Sequence, residues 1–139
     1  MRRTMAVCLL GLMLLALLLV ACEGYTESGG GYRSQQGMNG GLESARADKA
    51  NGSIEKEIEV EGVSGLILDA VVTLSVEKGT YKIELIGEDG EVTLALEASD
   101  GESVSGQGWM AVDTFGEANY RVTATEAENV EYSIEYTYR

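Results

Sequence analysis

The sequence predicts a small antiparallel β-sandwich of about seven strands, immunoglobulin-like or jelly-roll in type, and three observations point to it. From Ser53 onward, apolar and polar residues alternate with a period of two, as half-buried strands require. Turn signals, among them Gly79, Asp89-Gly90 and Asp100-Gly101, interrupt that alternation at intervals of roughly eight to twelve residues. No window beyond the N-terminal segment carries a helical period.

The chain opens differently. Arg2 and Arg3 precede an apolar run from Met5 to Val20, and Ala21 supplies a small residue at a cleavage position. That order of positive, apolar and small residues marks an export signal, residues 1–21. A membrane-spanning helix needs about 20 apolar residues, so the run is short for a permanent span. Leu19-Val20-Ala21-Cys22 resembles the lipobox of bacterial lipoproteins at every position. The resemblance implies that the signal is removed before Cys22, that its thiol takes a diacylglycerol, and that fatty acids such as palmitate hold the chain to a membrane. Two or three acyl chains anchor stably where one is marginal. Glu23 is not the aspartate associated with retention at the inner membrane. The expected place is therefore the cell envelope, at the outer face of the cytoplasmic membrane or at the outer membrane of a host that has one.

Residues 22–52 read as a lipidated, flexible tether. Gly29-Gly30-Gly31, Gly40-Gly41 and Ser34-Gln35-Gln36 leave few large apolar side chains to bury. As a coil of about 30 residues the stretch would hold a domain roughly 30 Å from the lipid. Leu42 to Ala50 has helix-forming residues but no apolar stripe, so a turn or two of helix is the most it predicts.

Residues 53–139 make the expected acidic sandwich. Ile54, Ile58 and Val60 alternate with Glu55, Glu57, Glu59 and Glu61, and Lys56 interrupts the apolar parity. Leu66, Leu68, Ala70, Val72, Leu74 and Val76 share the next inward face, before a turn at Glu77-Lys78-Gly79-Thr80. Tyr81, Ile83 and Leu85 follow, then an Asp89-Gly90 turn, then Val92, Leu94, Leu96 and Ala98. After Asp100-Gly101 the pattern weakens, with a short strand at Trp109 to Asp113. Two last strands carry Tyr120, Val122 and Ala124, then Val130, Tyr132, Ile134, Tyr136 and Tyr138 inward. Gly79-Thr80-Tyr81-Lys82-Ile83, Asp89-Gly90 and Gly116 with Tyr120-Arg121-Val122 resemble the small sandwich modules of secreted bacterial proteins, such as prepeptidase C-terminal domains. That resemblance implies a non-catalytic accessory or binding module. The aspartate cluster through which such modules often hold calcium has no counterpart here.

Composition narrows the chemistry. The chain carries a formal charge of -13, and losing Arg2 and Arg3 makes it more negative still. Nucleic acid and anionic lipid surfaces repel such a domain. There is no histidine, and the two cysteines are Cys8 and Cys22. Serine–histidine and cysteine–histidine nucleophile pairs are excluded, as is zinc held by those residues. No pair of carboxylates stands out for general acid–base work, so the chain reads as a non-enzyme. No cofactor is required; calcium at Glu88-Asp89-Gly90-Glu91 or Asp100-Gly101-Glu102 is the one that the hard oxygens would suit, and isolated Asp-Gly pairs are first of all turns.

Two features suggest binding. The row Glu55, Glu57, Glu59 and Glu61 reads first as a charged edge that resists aggregation and second as a dock for a cationic protein. The single tryptophan, Trp109, reads first as a core plug and second as a platform for a sugar ring. The expected function is a membrane-tethered lipoprotein with a non-catalytic binding or structural role. Its alternatives are an inhibitor or scavenger of cationic proteins, similar in size and anchoring to lysozyme inhibitors but without their cysteines, and a carbohydrate-binding module for a cell-wall glycan.

Overall fold

The computed structural model describes residues 24–62 and 64–139. The signal and the lipobox, Cys22 included, lie outside the described residues.

Seven strands follow in order: β1 (Thr26–Ser28), β2 (Gly31–Gln36), β3 (Gly40–Glu59), β4 (Ile67–Ile86), β5 (Val92–Ser99), β6 (Ser103–Ala111) and β7 (Glu117–Tyr138). All pairings are antiparallel, in the order β1-β3-β7-β4-β5, with β2 beside β3 and β6 beside β4. The expected sandwich is present, and it is one sheet folded over on itself. β3, β4 and β7 are long enough to belong to both layers. Their halves Gly40–Ala50, Ile67–Val76 and Val130–Thr137 join β2 and β6 in the first layer. Their other halves, Gly52–Glu59, Thr80–Ile86 and Glu117–Thr125, join β5 in the second.

All three strands bend at the same level. The register slips between Ala50 and Gly52 in β3 and between Lys78 and Thr80 in β4, and β7 turns through Glu126 and Asn129, both at positive φ. Strands that switch layers through bulges make the corners of such folds. The expected turn at Glu77 to Thr80 is thus a bend inside β4, and the two expected final strands are one. Alternation shows the inward parity switching between Val76 and Tyr81, but a turn between two strands and a bulged bend within one give the same switch.

The tether reading of residues 22–52 is corrected from Thr26 onward. β1, β2 and the first half of β3 are strands, so the domain does not begin at Ser53, and Leu42 to Ala50 is not helical. The reason lies across the sheet. β7 brings Tyr136, Tyr132 and Val130 opposite Gly41, Ala45 and Ala47, so small residues fill the space left beside large ones. Ala45, Ala47 and Ala50 are buried in this way. Such residues cannot drive burial alone, but an existing apolar strand provides it.

Leu68, Val72, Ile83, Leu85, Val122 and Ile134 have essentially no solvent exposure. Tyrosines join the layers: Tyr132 of the first stacks on Tyr81 of the second at 5.9 Å and meets Tyr120 edge-on at 6.2 Å. The side between β5 and β6 closes tightly, because a Cβ on Gly108 would stand 2.7 Å from the Cβ of Leu94. Of the residues expected inside, Ile54 and Val92 are instead exposed, lying on strand ends and edges that the opposite layer does not cover.

Burial pushes up the phenols of Tyr25, Tyr32, Tyr81, Tyr120 and Tyr132, and that of Tyr136 from 10.0 to about 12. These groups are neutral below their pKa, so the native state disfavours their ionisation and holds protons that the unfolded chain releases near pH 10. Their contribution is complete below about pH 10 and is lost as the pH rises through the folded values. Absorbance at 295 nm should therefore report phenolate in step with loss of the circular dichroism spectrum. Ordinary titration near pH 10 with the fold intact would contradict it.

Candidate functional site

The two long sides of the sandwich differ. On the β5–β6 side the layers touch; on the other, β2 borders the first layer and the second half of β3 borders the second. Between them opens a cleft of about 920 Å³, lined by Glu27, Tyr32, Ser34, Gln36, Glu43, Lys56 and Tyr120 and rimmed by Glu55, Glu57, Glu59 and Glu61.

Strand parity places its inner groups. Glu43 shares the inward face of β3 with Gly41, Ala45 and Ala47 and is 1% exposed. A buried carboxylate is costly unless hydrogen-bonded. The Tyr32 hydroxyl donates to Glu43 Oε2, and Ser34 Oγ donates to Oε1 at 2.5 Å, both from β2. Lys56 shares the inward face of the second half of β3, in mid-strand opposite Tyr120. Its Nζ lies 3.5 Å from Glu27 Oε2 and 3.4 Å from the Tyr132 hydroxyl, between the rings of Tyr25 and Tyr132 at 5.6 and 5.8 Å. The Tyr25 hydroxyl donates to Glu27 Oε2 at 2.7 Å, and Tyr120 and Tyr132 join hydroxyls at 3.1 Å. Gln36 Nε2 crosses the end of the cleft to the Glu59 carbonyl.

The rim is crowded with like charge. The carboxyl of Glu117, opposite Glu59 on β7, is raised above the usual range, first by Glu57, then by desolvation, Asp113 and Glu59. Inside the cleft the one lysine is already paired with Glu27. Chemically the arrangement offers acceptors to an incoming cation or hydrogen-bond donor.

The row Glu55, Glu57, Glu59 and Glu61 is thus brought to the cleft, whereas Trp109 is far from it. Trp109 is half-buried beside β5, its ring against Gly87 and Thr93. Its backbone N–H donates to Thr93 Oγ1 at 3.2 Å and its carbonyl accepts from the same hydroxyl. Among the described ring pairs none includes Trp109. In the acidic turns, Asp100 Oδ1 accepts from the Gly79 N–H and Glu102 Oε2 from the Ser99 N–H. Among the described residues no group of three or more potential ligands gathers for a metal. Sequence reasoning missed Glu43, Tyr32, Ser34, Glu27 and Tyr25, because it placed all five in the tether. The available signal was the alternation Gly41-Glu43-Ala45-Ala47, masked by small side chains.

A second concavity, of about 1130 Å³, lies on the outer face of the first layer and presents the hydroxyls of Ser44, Thr73, Ser75, Ser103, Ser105 and Ser133.

No protein-family model matches the chain, and no curated protein matches it. Solved structures of similar shape include a CBM4 module, 6% identical over 85% of this chain and 90% of that one, with a TM-score of 0.41. The CBM22-1 xylan-binding domain of Paenibacillus barcinonensis Xyn10C is 13% identical over 85% and 86%, with a TM-score of 0.40. The pili of Bacillus endospore appendages are 14% identical over 81% and 93%, with a TM-score of 0.43. None of these likenesses bears on what this chain binds.

Proposed function

We propose that the chain is a lipid-anchored protein of the cell envelope whose sandwich is a non-catalytic binding domain, and that its acidic cleft receives a cationic protein. The observation that supports this reading is the cleft itself, where six glutamates meet one lysine. Lys56 is held by Glu27 and Glu43 is buried under Tyr32 and Ser34, so Glu55, Glu57, Glu59 and Glu61 offer their charge outward. Complementary potential of this kind speeds encounter and selects partners. Neither histidine nor cysteine occurs in residues 24–139, which supports binding over covalent chemistry.

The full chain in detergent micelles, titrated with a cationic protein such as lysozyme, provides the test. Affinity should fall more than tenfold between about 50 and about 300 mM salt, because exposed charges are screened beyond the Debye length. Salt-insensitive binding, or none, would overturn the cationic reading.

The hydroxyl-lined concavity favours a second reading, a neutral cell-wall glycan held by hydrogen bonds on the first layer. Binding of soluble cell-wall oligosaccharides that ignores both salt and changes to the glutamates would support it instead.

A further inference from the structure

The glutamate row is also one side of an unpaired strand edge. Residues Gly52–Glu59 pair with β7 alone; β1 reaches along this edge only as far as Thr26, opposite Asn51, and Gly24 and Tyr25 lie against Gly52. Among the described residues no strand occupies the other edge of this half of β3. Its orientation follows from one bond: the Val60 N–H donates to the Gly116 carbonyl across β7. By the alternation of antiparallel ladders, the backbone groups of Glu55, Glu57 and Glu59 then point to the free edge. The Glu59 carbonyl does so, since it accepts from the Gln36 side chain. The edge holds no proline.

An edge can be guarded by one or two charges. This one holds more, at a cost within the sheet. The register sets Glu59 directly opposite Glu117, a like-charge pair that destabilises a sheet. The other edges carry less negative charge: β2 bears Arg33, β5 pairs with β4 alone and bears the one glutamate Glu97, and the backbone of Trp109 on β6 is capped by Thr93 as the Glu59 carbonyl is by Gln36.

We propose that the free edge of β3 from Ser53 to Glu59 binds its partner by strand addition, taking an extended segment with Lys or Arg at alternate positions. The segment's backbone continues the ladder through Glu55, Glu57 and the Glu59 N–H, the Glu59 carbonyl being held by Gln36, and its cations stand beside the carboxylates of Glu55, Glu57 and Glu59. Strand addition draws affinity from main-chain bonds and specificity from alternate side chains. Charge complementarity selects a cationic segment over a second copy of this edge, which would set glutamate against glutamate. The inference rests on the cationic-partner reading and adds its backbone geometry.

The test uses the full chain in detergent micelles and three eight-residue peptides, followed by fluorescence anisotropy. The first alternates lysine with valine; the second has the same composition with its lysines in one block; the third is the first, N-methylated at alternate residues to remove the amide donors that face the edge. The alternating peptide should bind at least tenfold more tightly than either of the others. Glu57→Gln and Glu59→Gln should each weaken it by about two- to fivefold, the range of cross-strand charge pairs. Equal binding of all three peptides would overturn strand addition while leaving a diffuse acidic dock. Failure of every cationic peptide and of lysozyme would overturn both readings.

Discussion

Replacing Gly79 with alanine should cost the sandwich on the order of 3 kcal/mol. The left-handed conformation there, at φ +75, costs an L-residue about 1–2 kcal/mol. The new methyl would also stand 2.2 Å from the carbonyl oxygen of Glu126 and 2.6 Å from that of Thr125. Those atoms are the backbone of the neighbouring central strand at its own bend, so they cannot rotate aside, and overpacking adds about 1–3 kcal/mol. Gly90→Ala is the control: its φ is +77, but nothing lies within 4 Å of its added carbon, so only the conformational cost of about 1–2 kcal/mol applies. Denaturant unfolding of the two variants separates the terms. Equal losses would show that the bend at Gly79 tolerates a side chain and that the common corner is not what holds the two layers together.

The second large effect concerns the membrane. Under the lipid-anchor proposal, Cys22→Ser should abolish incorporation of labelled fatty acid into the chain, with its circular dichroism unchanged, because the thiol would be the acyl acceptor and none of the described strands includes it. The structure limits the reach of the proposed anchor. Only three residues separate Cys22 from Thr26, where β1 begins, and four steps of extended chain span at most about 14 Å. The lipid anchor proposed at Cys22 would therefore hold the sandwich close to the bilayer, in place of the roughly 30 Å reach expected of a free tether. A wild-type chain that takes up no fatty acid would overturn lipidation and point to a retained signal helix.

Much of the fold was legible in the residues. The period of two named the inward faces of β4, β5 and β7 almost residue by residue, because each alternates large apolar with polar side chains. The Asp89-Gly90 and Asp100-Gly101 turns were legible because turn chemistry is local. The bends at Gly52, Gly79 and Glu126 were not, since each is defined by what the adjacent strand does at the same level. Of the site, the glutamate row and the oddity of Lys56 could be read. Its floor could not: Glu43, Tyr32 and Ser34 belong to strands whose small and polar residues resemble a linker until β7 lies beside them.

Sequence alone, then, determined the all-β class, the acidity, the absence of histidine and thiol chemistry from residues 24–139, and the lipobox-like Leu19 to Cys22, since these depend on composition and short-range pattern. Only the tertiary structure decided that residues 26–52 are folded, that Glu43 is buried, and that Glu55, Glu57, Glu59 and Glu61 rim a cleft on a free edge. Each of these depends on pairing between strands far apart in the chain. A glycine or alanine counts as core only when a tyrosine some 90 residues away stands opposite it, as Tyr136 does for Gly41.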